Sequence, residues 1–177
     1  MLHVTRLSPH EHTPTYMLTC GHTLQRTVVD PIHPMAVLDA LGSHPLDLIL
    51  LTTATALTTE AAEILHHRTG GPILASNTLS GGKLPVARYL TDGEVVGLGP
   101  LAQTVYVPEG DVMCYALGSE GILFTGPLFA EANNSNLATH KANRLAIAKL
   151  GILPSDTTVH GGGTQGQLLG PLLENLK

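Results

Sequence analysis

Leu46-Asp47-Leu48-Ile49-Leu50-Leu51 runs without a break into Thr52-Thr53-Ala54-Thr55-Ala56-Leu57-Thr58-Thr59. The first six residues form a short apolar run, which predicts a buried central strand. The next eight are dense in hydroxyls and predict a loop. Glu60–Arg68 then predicts a helix with acid in its first turn, stopped by Gly70-Gly71. A buried strand delivering a hydroxyl-rich loop to a helix is the unit on which the rest of the chain is read.

Upstream, Tyr16–Cys20 and Gln25–Asp30 predict two strands joined by a turn at Gly21-His22-Thr23. Pro31 and Pro34 interrupt, and Met35–Leu41 has a helical pattern ending at Gly42. Downstream, Pro72–Ser76 predicts a strand, and residues 77–93 are the least legible part. Strands follow at Val95–Gly97, Thr104–Val107, Val112–Leu117 and Gly121–Thr125, the last two joined by a turn at Gly118-Ser119-Glu120-Gly121. Asn136–Leu150 predicts a helix with Leu137, Ala138, Ala142, Leu145 and Ala148 on one face, capped from Asn133–Ser135. Thr157–His160 predicts a strand and Gly166–Leu176 a final helix. The order of elements fits two packed sheets covered by helices. No repeat or linker divides the chain, so a single domain over residues 1–177 is expected.

Charged residues are 13% of the chain, about half the roughly 25% usual for soluble domains. So little charge leaves apolar surface to be covered by a second copy, most simply in a symmetric dimer, or else a surface rich in Thr and Gly. The net charge is −5 and no basic run is present, so a nucleic-acid partner is not expected. The apolar runs are too short to span a bilayer. Met1–Arg6 lacks the apolar core of a signal peptide, and Cys20 and Cys114 form no framework. A cytoplasmic protein with reduced thiols is the expectation.

Five phrases in this order resemble the metallo-β-lactamase superfamily, nearest its glyoxalase-II-like branch. They are Tyr16–Cys20 with Val28-Val29-Asp30-Pro31; Leu46–Thr52; Gly110–Tyr115; Ile122-Leu123-Phe124-Thr125-Gly126; and Arg144 through Asp156-Thr157-Thr158-Val159. The resemblance covers most of the chain, from about Tyr16 to Leu176. It implies a four-layer αββα sandwich and, ordinarily, a metal-dependent hydrolase. It also implies a zinc loop reading His-x-His-x-Asp-His straight after the central strand and its Thr. Here Thr53, Thr55 and Thr58 stand for the three histidines and Leu57 for the aspartate. A further histidine position falls on Val107 or a neighbour, the bridging aspartate on Pro127, and the last histidine on Gly163.

Zinc takes imidazole nitrogen, thiolate or carboxylate. A threonine hydroxyl is neutral at pH 7, and Leu, Val, Pro and Gly offer no side-chain ligand. Without the metal, nothing lowers the pKa of a bound water from 15.7 toward about 7. The expectation is therefore a protein without metal or other cofactor, in which the former site has become a pocket near Thr53, Thr55, Thr58, Glu109, Asp111, His160 and Gly163. A small polar ligand, a protein partner or a second copy fits that pocket, and the hydroxyls are equally able to bond one another.

The alternative is a hydrolase of the esterase, thioesterase or phosphodiesterase class with a rebuilt or metal-independent site. His160 with Glu109 and Asp111 is one candidate for acid–base work or a single ion. A strand-end histidine and two turn carboxylates describe the same residues. His10 and His12 share a face of an extended segment, or are solvated loop histidines between Pro9 and Pro14. His66-His67 point about 100° apart on a helix and do not chelate together; they suit the helix C-terminal dipole. Cys20 and Cys114 read as small core residues. Gly81-Gly82-Lys83 lacks the spacing of a phosphate loop. Gly161-Gly162-Gly163-Thr164 reads as an anion cradle at a helix start or as a flexible connection.

Overall fold

A computed structural model describes residues 1–8, 14–77, 84–106, 112–129, 147–164 and 166–175. Six strands form the first sheet in sequence order: β1 (Leu2–Arg6), β2 (Tyr16–Cys20), β3 (Arg26–Val29), β4 (Leu48–Leu50), β5 (Ile73–Ser76) and β6 (Val86–Leu90). The first three are antiparallel, and β3 through β6 are parallel neighbours. Parallel pairing requires crossovers. These are supplied by helix α1 (Pro34–Leu41) between β3 and β4, and helix α2 (Ala56–Thr69) between β4 and β5.

The second sheet also has six strands: β7 (Val95–Leu98), β8 (Leu101–Tyr106), β9 (Cys114–Leu117), β10 (Ile122–Gly126), β11 (Thr158–Gly161) and β12 (Gln167–Leu168). Only β10 and β11 are parallel. Helix α3 (Leu169–Glu174) follows β12, and residues 147–150 are helical.

Period-two alternation on these strands divides the apolar residues into three cores. Tyr16, Leu18, Val29, Leu50, Tyr115 and Phe124 lie in the core between the sheets. Met17, Val28, Ile49 and Leu51 take the opposite face of the first sheet, against Val37 and Leu41 of α1 and Ala62 and Leu65 of α2. Ala116, Leu123 and Val159 pack outward from the second sheet against Ile147, Leu150 and Leu169. Helix, sheet, sheet, helix is the four-layer order expected from the sequence. Ile49 is completely buried. Truncating it to Ala costs about 2–5 kcal/mol, the usual range for such a cavity.

Several local expectations are corrected. Helix α2 starts at Ala56 rather than Glu60. Thr55 caps it: its Oγ1 accepts from the Thr58 amide at 3.2 Å, while the Thr55 amide donates to Thr58 Oγ1 at 3.0 Å. This reciprocal box recruits four residues of the supposed loop into the first turn, which holds no acid. Asp30 does not extend its strand but lies in the left-handed region at φ 49°. The expected final helix is split, because Gly166 turns the chain at φ 71° and Gln167 and Leu168 pair with Val159 and Thr158. β1 and β6 were not anticipated. Among the described residues, no helix is long and apolar enough to cross a membrane.

Candidate functional site

β3 and β4 end side by side, and their last residues are tied together by Asp30. The Asp30 amide donates to the Leu50 carbonyl at 3.0 Å. Its carboxylate accepts from the Thr52 amide at 2.7 Å and the Thr52 hydroxyl at 2.6 Å. The Thr53 amide is a further donor to it. Thr15 holds the other side of the turn, donating to the Asp30 carbonyl at 2.8 Å and accepting from the Ile32 amide at 3.2 Å. These bonds fix the unusual backbone of Asp30. Burial pushes its carboxyl up to about 6, opposed by the hydrogen bonds from Thr52 and Thr53.

The same loop is stitched to the second sheet. The Met113 amide donates to the Thr52 carbonyl at 2.7 Å, and the Tyr115 hydroxyl donates to the Leu51 carbonyl at 2.8 Å. At Gly126, φ 52°, any Cβ would strike the Thr52 hydroxyl. A Cβ on Gly161 would strike the Thr125 hydroxyl and lie 2.6 Å from the Gly126 carbonyl. Both positions admit only glycine, because the backbones approach so closely there.

The structure places the threonines of the expected pocket in different roles. Thr58 is fully buried, and its hydroxyl donates to the Thr53 carbonyl at 3.1 Å. Thr55 is exposed, and its hydroxyl serves as the helix cap. Of these three threonines, only Thr53 keeps a buried hydroxyl with no hydrogen-bond partner among the described residues. His160 lies on β11 among aromatic rings. Its ring stacks on Phe124, centroids 5.4 Å apart and 23° between planes, and meets Tyr16 edge-on at 5.2 Å. Burial lowers its pKa. Gly163 is an exposed turn residue at φ 74°. Glu109, Asp111, Val107, His10, His12 and Gly81-Gly82-Lys83 lie outside the described residues.

A narrow crevice opens beside Asp30 at the mouth of the sandwich, lined by Pro14, Tyr16, Val29, Asp30, Phe124 and His160 with the backbone of Gly126 and Gly161. Two of its lining residues, Tyr16 and His160, each carry a buried polar atom, the Tyr16 hydroxyl and His160 Nδ1, with no hydrogen-bond partner among the described residues. Burial pushes the Tyr16 phenol up to about 12. Sequence reasoning placed Tyr16 and Phe124 only in core strands. The signal for Asp30 was present in the Asp-Pro turn after β3, but not its bonds to Thr52.

The glycine-rich turn offers less to an anion than its composition implies. The Gly162 amide is spent on the Gly126 carbonyl at 2.8 Å, and the Thr164 amide on the Gly161 carbonyl at 3.3 Å. β12, not a helix, follows it. His66 bonds the Gly71 carbonyl at 2.9 Å from the last turn of α2. Cys20 and Cys114 are free and buried.

The fit of these residues to a metal is poor. Thr53, Thr55, Leu57, Thr58, Pro127 and Gly163 supply no imidazole, thiolate or carboxylate. Two of the three hydroxyls are engaged by the helix cap. Among the described residues, no group of three His, Cys, Asp or Glu side chains is placed to hold an ion.

No family model and no curated protein matches the chain. Solved structures do. BLEG-1 B3 metallo-β-lactamase superposes with a TM-score of 0.77 at 19% identity, over 98% of this chain and 97% of that one. ETHE1 from Myxococcus xanthus gives 0.75 at 21% identity, over 96% and 80%. TTHA1623 in a di-iron-bound form gives 0.73 at 21%, over 98% and 96%. Two facing six-stranded sheets between helical layers, superposing over nearly the whole chain, are the metallo-β-lactamase fold.

Proposed function

We propose that this chain is a non-catalytic, metal-free protein on a metallo-β-lactamase fold, acting as one domain by binding a small ligand or a protein partner. The observation that carries the reading is the fate of the threonines after β4. Where the fold's relatives are expected to present imidazoles, Thr55 and Thr58 turn their hydroxyls back onto the start of α2. Hydroxyls committed to a helix cap neither ligate a divalent cation nor activate water. Fold alone does not carry a reaction across such a change.

The protein should therefore show no turnover above buffer with esterase, thioesterase and phosphodiesterase substrates, with or without added zinc, iron or manganese. Sustained turnover that copurifies with the protein would reject the reading. One observation favours the second reading, a hydrolase with a rebuilt site: His160 keeps a buried nitrogen with no partner among the described residues. In that case His160→Ala abolishes turnover. The proposal includes a cytoplasmic location, supported by two free thiols, and self-association, supported by the low charge of the chain.

A further inference from the structure

We propose that the crevice between Tyr16, Asp30, Phe124 and His160 binds a small uncharged molecule carrying a hydroxyl or carboxamide on an apolar ring. This deepens the reading of the chain as a binding protein and rests on it. Native proteins pair nearly all buried polar atoms, with their own groups, with water or with a ligand. Two residues lining this crevice depart from the rule together, having no partner among the described residues for the Tyr16 hydroxyl, on a side chain only 2% exposed, and for His160 Nδ1.

The protonation states select the occupant. The Tyr16 phenol keeps its proton throughout the physiological range, so it both donates and accepts. Burial holds His160 neutral, so one ring nitrogen carries hydrogen and the other a lone pair. A hydroxyl or carboxamide, itself donor and acceptor, satisfies both atoms. Charge argues against the alternatives. Among the described residues of the lining, the Asp30 carboxylate is the one formally charged group; it repels an anion, opposed by the positive charge of Arg6 acting on the Tyr16 phenol from outside the lining. Its oxygens are already committed to Thr52 and Thr53, which leaves an ammonium group little to pair with. Pro14, Val29 and the rings of Tyr16 and Phe124 make the remaining wall apolar.

The walls stand too close for a water-sized sphere to lie between them. Entry therefore requires one wall to move. Tyr16 and Phe124 are buried, whereas His160 is half-buried and held on its neighbours by ring contacts. Rotation of His160 is the opening step.

The test is titration of the full chain at pH 7.5, followed by amide NMR shifts, with four ligands sharing one ring: benzamide, benzyl alcohol, benzoate and benzylamine. The uncharged pair should bind saturably, with the largest shifts around Tyr16, Phe124 and His160, and the charged pair at least tenfold more weakly. Tyr16→Phe should weaken benzamide tenfold or more while leaving the melting temperature unchanged or higher, since removing an orphaned hydroxyl leaves nothing unpaired. His160→Phe, which keeps a ring but no nitrogen, provides the same loss if Tyr16→Phe folds poorly. Absence of saturable binding by the uncharged pair, equal binding of benzoate or benzylamine, or full affinity in both variants would overturn the proposal. The non-catalytic reading fails on a different result, enzymatic turnover, so the two failures are separable.

Discussion

Asp30 is an acid kept in the interior with hydrogen-bond donors instead of a cation. Its carboxyl titrates near 6 rather than 3.8 because burial outweighs the bonds from Thr52 and Thr53. A folded-state pKa above the unfolded one means that the native chain holds its proton more tightly. The contribution of Asp30 to stability is then fully present below about pH 4 and is lost as pH rises through about 6. At roughly 1.4 kcal/mol per pH unit the whole effect is about 3 kcal/mol. Asp30→Asn keeps an acceptor for the Thr52 amide without the charge. Its melting temperature should exceed that of the wild type at pH 7.5 and converge with it at pH 4; parallel pH profiles would contradict this role. The sequence marks Asp30 only as the end of a predicted strand, before Pro31. Its left-handed backbone and its two short bonds to Thr52 depend on β3 and β4 lying in register, which no local pattern encodes.

Helix α2 is started by two of its own threonines. The Thr55–Thr58 box satisfies amides that a helix start otherwise leaves unpaired. Thr55→Ala removes the capping oxygen and should cost about 1 kcal/mol. For a chain of this size that is a fall of roughly 2–4 °C in melting temperature, with faster amide exchange confined to residues 56–59. Thr55→Asp should keep the cap. No change in Thr55→Ala would mean that the loop is held only by the Asp30–Thr52 clamp. The strands with continuous apolar runs, such as Tyr16–Cys20 and the Leu48–Leu50 segment, were readable because both their faces are buried. β1 was not: Leu2–Arg6 alternates between half-buried and exposed at a sheet edge, and its pairing with β2 is long-range. The start of α2 was misplaced because the five threonines and two alanines of residues 52–59 look like a loop until their hydrogen bonds are known.

For the molecule as a whole, two sheets and their helical layers form the metallo-β-lactamase fold, and the positions that the sequence resemblance assigns to metal ligands hold Thr53, Thr55, Leu57, Thr58, Pro127 and Gly163. The fold was legible from five phrases in order, since among the described residues each contains part of a strand of one of the two sheets. The candidate site was legible only as positions. That Thr55 and Thr58 face their own helix, and that Tyr16 and His160 meet at the mouth of the sandwich, are consequences of packing between elements far apart in sequence. Exposed Leu57, Ile152 and Leu168 add to the apolar surface of a weakly charged chain. Sedimentation velocity at micromolar concentration should therefore show a dimer; a monomer across that range would assign this surface to ligand or partner instead. The most direct measurement is the metal content of the chain purified without an affinity tag, with its melting curve recorded with and without chelator. Zinc, iron and manganese should each be far below one per chain and the curves should coincide. A stoichiometric ion, with a melting temperature that falls on chelation, would contradict the account.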